Sequence, residues 1–180
     1  KGRTPKGMSL AEIAALGHLI EYSTHSVTTM QNWVKRDFKE YLGAPREGKK
    51  YSVNQAALLF MIDDLKSALD FESIRQLFRL LFLKPERDDD DLIEPAHLYH
   101  AYAGLFEKIK CNPSFHNHGM SDRSQWGDMT WKDSVIEDST EGMMKRLAQL
   151  TRTQSEAVWN TVYIASISVQ SCYYQSLARQ

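Results

Sequence analysis

Wherever apolar residues recur in this chain they recur three or four residues apart, the spacing of a helix, and no stretch clearly alternates as a half-buried strand must. Leu10, Ile13, Ala14, Leu16, Leu19 and Ile20 keep that period through 8–22, and "SLAE" (Ser9 to Glu12) reads as a capping box at the start. "YSTHS" (22–26) breaks the pattern with short polar residues that suit a turn. The period resumes in "TTMQNWVKRDFKEY" (28–41), where Val27, Met30, Val34, Phe38 and Tyr41 lie on one face of a single helix that Ser26 or Thr24 can cap.

"LGAPREGKKYS" (42–52) follows, with two glycines, a proline and three basic residues: loop or hairpin chemistry, read here as a two-stranded wing over 43–51. "SVNQ" (Ser52 to Gln55) is a second capping-box pattern. It opens a helix through Ala56, Leu59, Phe60, Ile62, Asp63 and Lys66. Asp70 can cap the next, with Phe71, Ile74, Leu77, Phe78 and Leu81 along one side. "KPERDDDD" (84–91) is a compositional boundary. Four consecutive aspartates do not pack, so 83–94 is expected to be an acidic, solvated linker. Pro95 suits the first turn of a helix reaching about Lys110. Residues 111–141 lack a period and read as a long loop, and a helical pattern resumes at Gly142 and runs to Leu177. The expected organisation is a mainly α chain: a winged helix-turn-helix at 1–82, the linker 83–94, and a helical dimerisation or effector region at 95–180.

Formal net charge is -1, so the chain as a whole makes no case for nucleic acid. Its distribution does more. Residues 1–82 carry 12 basic against 9 acidic side chains, a balance of +3, and 83–180 carry 10 against 14. All of the +3 falls in 27–51, and a local basic patch on a near-neutral protein attracts phosphate. Cys111 and Cys172 stand far apart with no CxxC, which points to a reducing cytoplasm rather than a disulfide scaffold. No signal peptide is evident. The apolar run 157–174 is interrupted by Asn160, Thr161, Ser166, Ser168 and Gln170, so it reads as a buried helix rather than a membrane span.

Helix, short turn, helix and basic loop is the outline of a winged helix-turn-helix. A second helix held on its apolar face by the first presents its polar face to a major groove, and the loop beside it reaches the flanking backbone. On that reading Thr28, Thr29, Gln31, Asn32 and Arg36 face bases, since Asn and Gln bond adenine bidentately and Thr meets a thymine methyl. Lys35, Lys39, Arg46, Lys49, Lys50 and Tyr51 face phosphates. The succession "TTMQNWVKR", "GAPREGKKYS" and "QAALLFMIDDLKSALDFESIRQLF" resembles the MerR-type winged-helix regulators over residues 9–82. It is similar, more narrowly, to a bacterial family of MerR-like proteins, as yet uncharacterised, that shares "N-W/Y-V-K", "K-K-Y-S" and "L-K…L-x-x-x-I". The resemblance implies a transcriptional regulator that binds double-stranded DNA, with Lys50-Tyr51 at the end of the wing. The chain departs from MerR proteins in having Gln31 where they usually carry Arg and "KKYS" where they read Y-R-x-Y. It also lacks a C-terminal cysteine cluster, so neither their operator nor their metal sensing carries over.

Other constellations are thinner. Cys111, His116, His118 and Asp122 can gather a soft divalent ion, but a lone loop cluster is more often accidental and no metal is assigned. The aspartate run lacks the Gly and terminal Glu of a calcium loop. The aromatic last helix (Trp159, Tyr163, Tyr173, Tyr174) packs either within the chain or across a homodimer interface. With Met143, Met144, Trp126 and Trp131 it can also line a small-molecule effector pocket. No nucleophile elbow, P-loop or dinucleotide fingerprint is present, so no enzyme and no cofactor is expected. A protein-interaction module on the same scaffold, and a ligand sensor working through the C-terminal region, are the alternatives.

Overall fold

Eight α-helices and one π-helical segment carry the named structure of the computed structural model, which describes residues 7–20, 22–23, 26–46, 48–82, 91–111, 132, 135–136, 139 and 141–179. They are α1 (Leu10–Gly17), α2 (Val27–Asn32), the π-helix (Trp33–Asp37), α3 (Lys39–Leu42), α4 (Val53–Leu65), α5 (Phe71–Leu81), α6 (Pro95–Cys111), α7 (Glu141–Gln149) and α8 (Arg152–Leu177). The caps are those the sequence marks. Ser9 and Glu12 close a capping box on α1, Ser26 caps α2, Ser52 and Gln55 close a box on α4, and Asp70 caps α5. The C-terminal pattern is two helices rather than one, because Thr151 caps α8 in a box with Gln154 and the preceding helix stops at Gln149.

The expected single helix over 27–41 also differs. It passes from α2 into five residues of π-helix and then into α3 at Phe38, whose amide donates to the Trp33 carbonyl at 2.8 Å, five residues back. The cause lies in the apolar spacing. Met30 and Leu42 are both fully buried, yet on an uninterrupted α-helix they would sit about 120° apart. One extra residue in a turn rotates the later part back by about 100°, which aligns Met30, Val34, Phe38 and Leu42 on one buried face. Helix α5 holds the distortion. Arg75 donates to the Asp37 carbonyl at 3.0 Å with its guanidinium 5.8 Å from the centre of the Phe38 ring, and the Tyr41 hydroxyl donates to the Arg75 carbonyl at 3.1 Å.

Among the described residues no strand forms, so the two-stranded wing expected over 43–51 is not seen there. Tyr51 pairs instead with Met8, ahead of α1, through two backbone hydrogen bonds of 2.8 Å. Of the expected linker, 83–90 lie outside the described residues and Asp91, Leu92 and Ile93 are buried. Leu92 donates to the Leu81 carbonyl at 2.8 Å, and Arg146 of α7 donates to the Asp91 and Leu92 carbonyls. The hydrophobic core is continuous across both halves of the chain: Ile13, Met30 and Phe78 belong to the same cluster as Tyr102, Val158 and Val169.

Helix α4 is the axis of that core. Ten of its thirteen residues are buried, so it has no solvent stripe, and α6 and α8 pack against it. Two consecutive carboxylates, Asp63 and Asp64, are buried with it. Asp63 takes Lys66 at 2.5 Å and the Ser23 hydroxyl at 3.0 Å. Asp64 accepts from the Tyr102 hydroxyl of α6 at 2.6 Å, and its backbone carbonyl accepts from Ser168 of α8 at 2.5 Å. Burial pushes the Asp64 carboxyl up to about 7; the Tyr102 hydrogen bond opposes the shift and the Asp63 charge adds to it.

The raised value fixes the sign of a pH dependence. From the unfolded value of 3.8 up to about 7 the folded chain keeps a proton that the unfolded chain has lost, so stability falls as pH rises through that window and levels off above it. In Asp64→Asn this component disappears. Between pH 5 and pH 7.5, urea unfolding is expected to show wild type losing more stability than the variant, on the order of 1.4 kcal/mol for each pH step inside the window. Parallel losses would count against it.

Candidate nucleic-acid interface

The burial of Met30, Trp33, Val34, Phe38, Tyr41 and Leu42 leaves the opposite face of α2, the π-helix and α3 in solvent. Thr28, Gln31, Asn32, Lys35, Arg36 and Lys39 are all exposed there. Lys35 and Lys39 have no ion-pair partner among the described residues, so their charge is available to an anion. Arg36 is clamped by its neighbour, Nε to Asp37 Oδ1 at 2.7 Å and Nη2 to Oδ2 at 3.3 Å. A pair this exposed is worth little and opens at small cost.

Beside this face lies a cleft of about 790 Å³ where Arg36 and Lys39 meet Arg46 from the following loop and Arg75 from α5, with Asp37 and Glu40 the acidic members. Gln55 places the loop. Its side-chain amide donates to the Leu42 and Ala44 carbonyls at 2.5 and 2.7 Å, and its carbonyl accepts from the Ser52 and Arg46 amides at 2.9 and 3.3 Å. One buried side chain therefore caps α4, ends α3 and fixes the backbone of Arg46. Gly43 and Gly48 adopt positive φ, +56° and +68°, at the two bends of the loop, a conformation that glycine takes without strain.

The residues expected to contact DNA divide in this geometry. Thr28, Gln31, Asn32, Arg36, Lys35 and Lys39 share the exposed helical face; Arg46 joins Arg36 and Lys39 at the cleft; Lys49 is exposed on the loop. Thr29 is half-buried, and its hydroxyl lies 3.0 Å from that of Ser26 in the helix cap. Lys50 reaches Glu12 of α1, Nζ to both carboxylate oxygens at 3.1 Å; the Ser9 amide, the Ser9 hydroxyl and this lysine hold the Glu12 carboxyl at about 2. Tyr51, also expected at a phosphate, is a buried residue of the hydrophobic core, and burial pushes its hydroxyl up. Arg75 and Gln55 were not among the expected site residues. Arg75 carries no local mark of its reach to Asp37, and the capping-box signature of Gln55 is silent about the two carbonyls it takes across the loop.

Among the described residues no group of three or more His, Cys, Asp or Glu is placed to hold a metal ion, and Cys111 is exposed. His116, His118, Asp122, Trp126 and Trp131 lie outside the described residues. No described helix is long and apolar enough to cross a membrane.

Among known proteins, the family described as "Domain of unknown function (DUF1836)" matches residues 12–102, which takes in the basic helix, the loop, α4, α5 and the first half of α6. The "Uncharacterized protein YkrK" of Bacillus subtilis (strain 168) is 31% identical over 182 residues, an alignment covering all of this chain and 73% of that protein. No solved structure matches at a significant level.

The role of Gln55 is open to test. Gln55→Leu keeps the volume but strands two carbonyls and two amides. A loss of about 2–3 kcal/mol is expected, together with faster amide exchange over 43–52 than in wild type. Unchanged exchange in that loop would remove Gln55 as its anchor.

Proposed function

The chain belongs to the DUF1836 family, and for this member of it we propose a DNA-binding function, that of a transcriptional regulator acting on duplex DNA. The observation that carries the reading is the solvent face of α2, the π-helix and α3. It combines the amide and hydroxyl groups of Gln31, Asn32 and Thr28 with Lys35 and Lys39, which have no ion-pair partner among the described residues, and it borders the arginine cleft. Amides and hydroxyls are the groups that read base edges, and lysines and arginines are those that hold phosphates. In this reading Gln31, Asn32, Thr28 and Arg36 enter the major groove, Lys35 and Lys39 flank it, and Arg46 and Lys49 hold the backbone from the loop. That loop takes the part of a wing.

A homodimer fits the same reading. Tyr174 and Leu177, one turn apart near the end of α8, are large, apolar and exposed, as the surface joining two copies would be. Two copies would present two reading helices about 34 Å or a multiple apart, matching successive turns of the major groove. A small-molecule effector bound away from the reading face would complete a regulator of this type. Neither the reaction chemistry of an enzyme nor a resident cofactor enters the reading.

Fluorescence anisotropy with random-sequence duplex DNA tests it. Wild type is expected to bind at low salt, with an affinity that falls linearly in log–log form as salt rises. Lys35→Glu and Lys39→Glu should each weaken binding uniformly across sequences and lower the slope by about 1. The titration should end at two chains per duplex. Absence of binding at low salt, or variants indistinguishable from wild type, would reject the function.

A further inference from the structure

On a regular helix, side chains one residue apart point about 100° away from each other and do not face one another. Arg36 and Asp37 nevertheless meet. They lie at the end of the π-helix, where Phe38 departs from helical geometry (φ -131°, ψ 26°). Both oxygens of the carboxylate are used: Oδ1 accepts from Arg36 Nε at 2.7 Å and Oδ2 from Nη2 at 3.3 Å. Asp37 thus takes the side edge of the guanidinium, two of its five N–H donors. The other three, both on Nη1 and the second on Nη2, form its terminal fork, and the Arg36 side chain is 75% exposed.

Asp37 is held in its turn. Its side chain is only 17% exposed, and its backbone carbonyl accepts from Arg75 Nη1 at 3.0 Å. Glu72 fixes Arg75 through Nε and Nη2, at 3.1 and 3.0 Å. A chain of contacts therefore runs from α5 through Arg75 and Asp37 to the guanidinium of Arg36. An exposed ion pair adds little to stability, so what this one contributes is orientation. A carboxylate among groups that attract phosphate also repels DNA, which makes Asp37 costly on this face unless it serves selectivity.

We propose that Asp37 is a positioning residue for base recognition: it holds Arg36 by the side edge and so aims the terminal fork at a guanine in the major groove. Guanine presents O6 and N7 there as two adjacent acceptors, the pattern that a fork of parallel N–H donors matches. Asp37 touches no DNA and acts through Arg36. The inference rests on the DNA-binding reading and adds to it the base that is read and the residue that sets the reading.

The test is repeated selection of bound duplexes from a random-sequence pool by the full chain, followed by anisotropy on the selected duplex and on single base-pair variants of it. Wild type is expected to select an invariant guanine and to bind roughly tenfold more weakly when that G·C pair becomes A·T. Asp37→Asn keeps the shape but loses the charge and one acceptor. It should discriminate only a few-fold at that position, yet bind the unselected pool more tightly than wild type because an anion has left the face. Arg36→Lys keeps the charge without the fork and should lose the same preference and no other. Failure of wild type to bind any duplex would remove the DNA-binding reading itself. Binding without an invariant guanine, a guanine preference that either variant retains in full, or pool affinity that falls together with the preference in Asp37→Asn, would overturn this inference alone.

Discussion

Two adjacent carboxylates at the end of a helix buried on nearly every side are the constraint around which this fold is arranged. Neither Asp63 nor Asp64 can lie in the core unless its oxygens are matched, and α4 has too few neighbours of its own to match them. Lys66, at the end of α4 itself, pairs with Asp63, and further partners come from three other places: Ser23 from the turn before α2, Tyr102 from α6, and Ser168 from α8, which takes the Asp64 backbone carbonyl. Aromatic contacts reinforce the same junction, with Tyr22 edge-on to Phe106 at 5.6 Å and Phe106 edge-on to Tyr173 at 5.8 Å. The polar knot therefore joins the basic N-terminal half to the acidic C-terminal half. Buried residues of both halves belong to one hydrophobic cluster.

The basic face follows from a second mismatch of numbers. The apolar residues between Met30 and Leu42 are one residue too far apart for a regular helix, and the π-helical turn takes up the excess. That turn brings Lys39 and Arg36 round to the side where Arg46 arrives from the loop and Arg75 from α5. Arg75 serves both ends of the arrangement, since it satisfies the carbonyl at the end of the π segment and lines the basic cleft. Charge is thus concentrated on a protein whose net charge is -1, and only local placement makes a nucleic-acid reading reasonable.

Local signals in the sequence were strong enough to locate the helices. Ser9, Ser26, Ser52 and Asp70 each cap the helix they precede, because a cap is decided by residues three or four apart. The exposed face carrying Gln31, Asn32, Lys35 and Lys39 was legible for the same reason: one buried stripe implies the opposite solvent stripe. What escaped is non-local. A two-stranded wing over 43–51 is a fair reading of Gly, Pro and Lys, but Tyr51 pairs with Met8, far back in the chain, and Gln55 takes the loop carbonyls. The interruption at Leu150 falls within a continuous helical period that only the Thr151 cap divides. The burial of Asp64 rests on Tyr102, far along the chain, and that of 91–93 goes with Arg146 and Leu81.

Amide hydrogen exchange on the full chain, with and without an excess of duplex DNA at low salt, addresses the central claim most directly because it reports where DNA sits. DNA is predicted to slow exchange over 27–46, covering the helical face and the loop that carries Arg46, and to leave α6 as it was. Protection centred on α6 or α8, or no protection anywhere, would contradict that placement.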